Sequence, residues 1–216
     1  MSIHYPIHLQ ISGRLCVVIG GGAVGVRRVS GLLKAGAVVR VVALKASPEL
    51  QQLADSGRIK LLKKAYSPED LADAFLVVVA TDSRTINAQV TQDAKARSLL
   101  VNVTDSPADG DFTVPSVVRR GDLEISVTTG GSLPALTQQI ATELEQHFGE
   151  EYGAFVELMG EIRDYMKRSI PLKERSASAR RVLAHEAMIC ALLREGKQRE
   201  AREIAFLLLN NDETGD

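Results

Sequence analysis

Tryptophan is absent from the 216 residues, and aromatic side chains make up only 4% of them. Rings that sparse do not alternate with cations as base-stacking platforms do, which argues against a nucleic-acid surface. Charge is equally unhelpful to such a surface: 26 Lys and Arg stand against 27 Asp and Glu, for a net charge of −1. Cysteine is scarce. Cys16 and Cys190 both fall in apolar surroundings, which predicts buried free thiols rather than a disulfide or a redox pair. His4, His8, His147 and His185 show no ligand spacing, and there is no cysteine cluster, so no structural metal is expected. No apolar run approaches the length that crosses a bilayer, and the first residues lack the basic start and apolar centre of a signal peptide. The expectation is a cytoplasmic protein with no membrane partner. Internal repeats and low-complexity segments are absent as well.

What is present is ordinary in bulk and specific in detail. With 45% apolar and 25% charged residues, the chain can hold one sizeable core and a smaller appendage. Leu15 to Gly25 joins a short apolar run directly to a Gly-x-Gly-x-x-Gly spacing at Gly20, Gly22 and Gly25. In a dinucleotide fold the first glycine makes the turn, the second lets backbone approach a pyrophosphate, and the third lets helix pack on strand. Val26 to Ala35 has helical spacing, Gly36 ends it, and Val38 to Ala43 is a second apolar run. Strand, helix and strand thus fit a βαβ unit, which favours a nucleotide site over a turn that binds nothing. Asp or Glu is common near the end of the second strand in such folds, but here Ala43-Leu44-Lys45 stands there. Lys45 reads as a solvated lysine, with a 2′-phosphate contact as the other reading.

Tyr5, Pro6, Ile7 and Leu9 are expected to lie across the sheet. Ser47-Pro48-Glu49 opens a helix through Ala54, Gly57 stops it, and Ile59 to Leu62 is a third run. Pro68 starts a short helix. Phe75 to Ala80 is apolar enough to be buried on both faces, as parallel strands are. Ala80, Thr81 and Asp82 should then flank the same crevice as the glycines, with Asp82 also capping a helix from Ser83 to Ala96. Leu99 to Val103 is the fifth strand, and Asn102, Thr104 and Asp105 are expected at its end. Phe112 to Val118 and Leu123 to Thr128 read as a hairpin. Thr129-Gly130-Gly131-Ser132-Leu133-Pro134 leads into a helix carrying Leu136, Ile140 and Leu144, with Ser132 as expected N-cap. From His147 the pattern is helical: one helix with Phe155, Leu158, Met159 and Ile162, one over Val182 to Leu193, and one with Ala201, Ile204, Ala205 and Leu208. Asn210 to Asp216 reads as a frayed tail.

The assembled pieces resemble the precorrin-2 dehydrogenase family, the dehydrogenase/ferrochelatase modules of sirohaem synthase. They are Tyr5-Pro6-Ile7, Gly20-Gly21-Gly22-Ala23-Val24, Ala80-Thr81-Asp82 with Asn87, Asn102-Val103-Thr104-Asp105, Asp111-Phe112-Thr113-Val114-Pro115 and Thr129 to Pro134. They fall in family order over about the first 145 residues. The resemblance implies an α/β chain: a Rossmann-like parallel sheet binding NAD over 1–112, a small β-containing dimerisation region over 113–146, and a helical part over 147–216. It also implies a homodimer that oxidises precorrin-2 to sirohydrochlorin with NAD as hydride acceptor. Some members also insert ferrous iron and others only oxidise; the residues leave both open, with Asp105 the leading participant in insertion and His147 a second. Nothing in the chain is long enough to hold the methyltransferase fused to certain members, so that activity is expected elsewhere.

The residues can be weighed beside the name. Aromatising one step of a reduced tetrapyrrole needs a hydride acceptor and a base, and Asp105, matching the family's proposed catalytic aspartate, is the candidate base. Its bland reading is an Asp105-Ser106-Pro107 turn, and Asp109 and Asp111 are turn residues by the same logic. Cofactor contacts are assigned to Gly20, Gly21, Gly22, Ala23, Val24, Gly25, Ala80, Thr81 and Asp82. Thr129, Gly130, Gly131 and Ser132 suit a substrate carboxylate. Further carboxylates would need cations, sought among Arg119, Arg120, Arg163, Lys167, Arg168, Lys173, Arg175, Arg180 and Arg181. A nucleotide-binding regulatory module without turnover is the rival reading. Short-chain dehydrogenase chemistry is excluded, because Tyr5, Tyr66, Tyr152 and Tyr165 are followed four residues on by Leu9, Asp70, Val156 and Ser169 rather than lysine.

Overall fold

A computed structural model describes residues 4–210, and the chain divides into two compact units between Val114 and Pro115. In the first unit, β1 (Leu15–Ile19), β2 (Val38–Val42), β3 (Lys60–Leu62), β4 (Leu76–Val79) and β5 (Leu100–Val103) form one sheet in the order β3-β2-β1-β4-β5. Every pairing is parallel. The helices between strands are α1 (Ala23–Lys34), α2 (Pro48–Asp55) and α3 (Arg84–Ala96), with a single 3₁₀ turn at Pro68–Leu71 between β3 and β4.

Alternation along the strands sorts the core into two layers. Cys16, Val18, Val39 and Val41 pack with Val29 of α1 and Leu50 of α2, while Val17, Ile19, Val77, Val79 and Val101 pack with Val90 and Ala94 of α3. With both faces covered, β4 is buried at every residue, which is why its sequence is an unbroken apolar run. Burial pushes the Cys16 thiol up to about 11, so it stays protonated and inert near neutral pH.

The chain leaving β5 doubles back along that strand. Asp111 donates its backbone N–H to Val101 O at 2.7 Å and accepts the Val101 N–H on Oδ2 at 3.0 Å. Asn102 Nδ2 donates to Phe112 O at 2.9 Å. The outer edge of the sheet is therefore stitched to the protein's own backbone and side chains.

Several local expectations are corrected here. Tyr5, Ile7 and Leu9 do not cover the sheet: they are 89%, 62% and 41% exposed. Asn102 does not emerge at the strand end but is buried within β5. Asp82 does not cap α3; the Ser83 hydroxyl does, accepting the Ile86 N–H.

The second unit opens with an antiparallel hairpin, β6 (Ser116–Arg120) and β7 (Leu123–Val127). Five helices follow: α4 (Pro134–His147), α5 (Glu151–Ser169), α6 (Leu172–Leu183), α7 (Glu186–Arg194) and α8 (Gln198–Asn210). Phe155, Leu158, Ile162, Val182, Ile189, Ala205 and Leu209 make their shared core, and Cys190 joins it, raised like Cys16 to about 11 by burial. The expected helix over Val182 to Leu193 is two helices broken at Ala184 and His185, and α6 was not anticipated. Asn210 closes α8, and 211–216 of the expected tail lie outside the described residues. Among the described residues no helix is long and apolar enough to cross a membrane.

Candidate active site

The site is built where β1 and β4 meet, the point at which the strand order reverses and open α/β sheets place their ligands. Gly20 N donates to Val42 O at 3.0 Å and Ala80 N to Ile19 O at 2.8 Å, so the glycine loop and the end of β4 leave the sheet side by side. The loop has no room for side chains on its protein side. A Cβ at Gly20, where φ is +124°, would lie 2.1 Å from Ala80 O; at Gly21, 2.1 Å from Lys45 O; at Gly25, 2.5 Å from Gly20 O. Gly22 differs, since a Cβ there would meet nothing within 4 Å.

Gly22 is also the N-cap of α1, with no side-chain cap and no acidic residue in the first turn. Gly22 and Ala23 are exposed and Val24 is half-buried, so the first turn of α1 opens to solvent with the positive end of the helix behind it, while Gly25 is buried against the loop. That is the donor set and the clearance a pyrophosphate requires. The residues fit a dinucleotide.

Thr81 and Asp82 follow β4. The Thr81 hydroxyl accepts the Ser83 N–H at 3.1 Å and donates to Asn87 Oδ1 at 2.6 Å. Asn87 Nδ2 in turn donates to Thr81 O at 3.0 Å and to Asp105 Oδ2 at 3.1 Å. Asp105 lies just beyond β5, exposed, and Thr104 ahead of it donates its backbone N–H to Val79 O at 3.0 Å. The expected neighbours on β1, β4 and β5 are thereby brought together. Asp109 sits in a 3₁₀ turn, as its reading as a turn residue anticipated, whereas Asp111 is held along the sheet edge by Val101.

Asp105 opens onto a cleft of about 710 Å³ between α3 and the loop after β5, a volume typical of small-molecule sites. Arg84 and Lys95 of α3 line it with Asp105 and Asp109. Sequence reasoning missed both cations because it looked for them after residue 118. The signal was available: Arg84, Asn87, Thr91 and Lys95 recur at the spacing of one helix face.

Six of the nine cations that were singled out have partners within the protein. Arg120 donates to Glu145 O and Phe148 O at the end of α4, and Arg175 to Lys167 O and Ile170 O at the end of α5. Arg181 donates to Leu208 O and Leu209 O at the end of α8. Each guanidinium satisfies carbonyls that a helix C-terminus leaves open. Arg119 pairs with Glu124, Lys167 with Asp164 and Lys173 with Glu174, while Arg163, Arg168 and Arg180 are exposed.

In the second unit the loop before α4 differs from expectation in its cap. Leu133, not Ser132, is the N-cap, without a side-chain hydrogen bond, and Pro134 takes the first helical position. Thr129 does the local tethering: its hydroxyl lies 2.9 Å from that of Thr137 and accepts the Leu133 N–H at 3.4 Å. Gly130 and Gly131 have φ of +64° and +84°, and a Cβ on either would meet nothing within 4 Å. The loop is open, and no acid occupies the first turn of α4.

A protein-family model described as "Putative NAD(P)-binding" matches residues 7–116. The chain belongs to this NAD(P)-binding family. Its matched span covers the whole parallel sheet and the glycine loop, and a nicotinamide dinucleotide is the cofactor that this membership supports. Among curated proteins, the family member resembles "Siroheme synthase" of Nitrosococcus oceani, at 38% identity over 167 residues, 77% of this chain and 36% of that one. It also resembles "Siroheme synthase 1" of Yersinia pestis, at 33% over 190 residues, 88% of this chain and 40% of that one. The chain thus spans 36–40% of the length of these curated relatives. Among solved structures it is similar to "SirC, precorrin-2 dehydrogenase", with a TM-score of 0.72 and 28% identity, covering 94% of this chain and 100% of that one.

Proposed function

We propose that this chain is an oxidoreductase of sirohaem biosynthesis that converts precorrin-2 to sirohydrochlorin with NAD. The observation that carries the reading is the Asp105 carboxylate, presented beyond β5 and tied through Asn87 to Thr81 beside the glycine loop. Likeness to a precorrin-2 dehydrogenase structure along the whole of that chain supports it.

The overall change removes two electrons and two protons' worth of hydrogen from the macrocycle. A bound NAD would supply the acceptor for the hydride, and Gly22 with the first amides of α1 would hold its pyrophosphate. Asp105 accepts the proton that the ring must release, as a carboxylate within reach of the cleft. Arg84 and Lys95 pair with substrate carboxylates on the cleft wall. Within the second unit, the open loop Thr129 to Ser132 ahead of α4 is by itself suited to a carboxylate. No acid follows β2, where Lys45 stands exposed.

Anaerobic incubation with precorrin-2 and NAD is the test. The expected result is NADH absorbance rising with the sirohydrochlorin spectrum; tight NAD binding with neither signal would favour the regulatory module instead. Ferrous iron as a further substrate belongs to the same proposal, since Asp105 can also take the pyrrole N–H protons displaced by an entering ion. Adding ferrous or cobaltous ion to sirohydrochlorin and following the metallated spectrum separates a bifunctional protein from one that only oxidises.

Residues 113–146 we assign to dimerisation. Beside the hairpin, Leu133 and Leu136 leave large apolar side chains 53% and 41% exposed, as a face covered by a second copy would. Light scattering should report a dimer, and Leu136→Lys should shift it toward monomer; a monomer at every concentration of the wild type would overturn this.

A further inference from the structure

We infer that Asn87 is a positioning residue, holding the Asp105 carboxylate in a fixed orientation relative to the loop that follows β4. The inference rests on the reading of Asp105 as proton acceptor and goes beyond it, because it assigns the group that aims the acceptor.

Asn87 sits in the first turn of α3 and is 4% exposed. Its partners fix which way the amide faces. Thr81 O and the Asp105 carboxylate can only accept, so the nitrogen faces both, at 3.0 and 3.1 Å. The Thr81 hydroxyl already accepts the Ser83 N–H, which frees its hydrogen for Asn87 Oδ1 at 2.6 Å. Both amide hydrogens and the amide oxygen are therefore engaged, and a flipped amide would set oxygen against oxygen at Thr81 O and at Asp105 Oδ2. The backbone of Asn87 is held too, with its N–H on Ser83 O at 2.9 Å and its carbonyl receiving the Thr91 hydroxyl at 2.7 Å.

An asparagine needed only to fasten α3 to β4 would spend its amide on backbone. This one gives half of its donor capacity to an exposed carboxylate at the mouth of a cleft. The donated N–H occupies Oδ2, so the acceptor is oriented with its other oxygen left for the cleft. The same amide grips Thr81, which flanks the crevice where the dinucleotide lies. One side chain thus ties the place of the hydride acceptor to the place of the proton acceptor, the relative geometry on which a concerted removal depends.

The test compares wild type, Asn87→Ala, Asn87→Asp and Asp105→Asn in steady-state NAD reduction across pH, with NADH binding by fluorescence and Tm alongside. Loss of one hydrogen bond to a charged group predicts kcat lowered by about 10–100-fold in Asn87→Ala, with KM for precorrin-2 within about threefold. Asn87→Asp sets a second carboxylate beside the first, so the acid limb of its pH–rate profile should move to higher pH by about one unit. Arg84 and Lys95 of α3 and Asp109 of the following turn also face the cleft, but all three are constant across the series. Asn87→Ala should cost nothing further in the Asp105→Asn background. An unmoved acid limb in Asn87→Asp, or a full additional loss in the double variant, would overturn the inference. If Asn87→Ala fails to fold, the near-isosteric Asn87→Asp still decides. Wild-type rates in Asp105→Asn would instead sink the reading of Asp105 and the inference with it, whereas a slowed Asp105→Asn beside an unmoved acid limb in Asn87→Asp sinks the inference alone.

Discussion

Replacing Asp105 with alanine is expected to slow precorrin-2 oxidation by about 10²–10⁴-fold, the usual worth of a positioned general base, while NAD still binds. Two structural facts separate the effects. Asp105 is exposed and beyond the end of β5, so the sheet loses no core packing when its side chain is cut. The pyrophosphate donors sit on α1, and Asp105 makes no contact with that helix in the hydrogen-bond network that holds it. Tm should therefore fall by only a few degrees, about 2–6 °C, the cost of the buried Asn87 N–H that loses its acceptor. NADH fluorescence titration, Tm and anaerobic turnover measured on one preparation check all three. A variant that turns over at the wild-type rate would remove Asp105 from the chemistry.

The glycine loop should give a split result. Gly20→Ala combines a φ of +124° with a Cβ 2.1 Å from Ala80 O. Strain of about 1–3 kcal/mol from the backbone adds to a similar overpacking cost, against a total stability of only about 5–15 kcal/mol. A fall in Tm of about 10 °C or more, or insoluble protein, is expected. Gly22→Ala adds the same methyl group where nothing lies within 4 Å. Its fold should survive with a change below about 1 kcal/mol, while the methyl intrudes on the space before the α1 amides and raises the NAD Kd by at least ~10-fold, about 1.4 kcal/mol. Thermal melts and dinucleotide titrations of the two variants make the comparison. Equal NAD affinity in Gly22→Ala and wild type would mean that the pyrophosphate is not seated there.

Much of the fold was legible because its constraints are short-range. A strand buried on both faces must be apolar throughout, and β4 is; a turn that crowds its own strand must be glycine, and Gly20 is. Caps were less legible because two competent residues stood together. Asp82 and Ser83 can each cap a helix, and only the backbone decides for Ser83. Before α4, Pro134 fixes the first helical position and so moves the cap onto Leu133, which composition would never suggest. Helix α6 went unseen since it buries little, Ser178 and Val182, and a faint stripe looks like solvated chain. The roles of the arginines were illegible for a related reason. A cation's sequence context does not reveal whether it meets a substrate or the carbonyls of a distant helix end, as Arg120, Arg175 and Arg181 do.

The doubling back of Asp111 and Phe112 along β5 has an effect on how copies of this protein can meet. An open strand flank invites a neighbour to continue the ladder, and from there stacking without limit. Here the hydrogen bonds at Val101 and the Asn102 amide are already spent on the chain itself. Union of two molecules by zipping backbone to backbone is thus closed off on this side, and any pair that forms there must do so through side chains, which can be selective where bare peptide groups cannot.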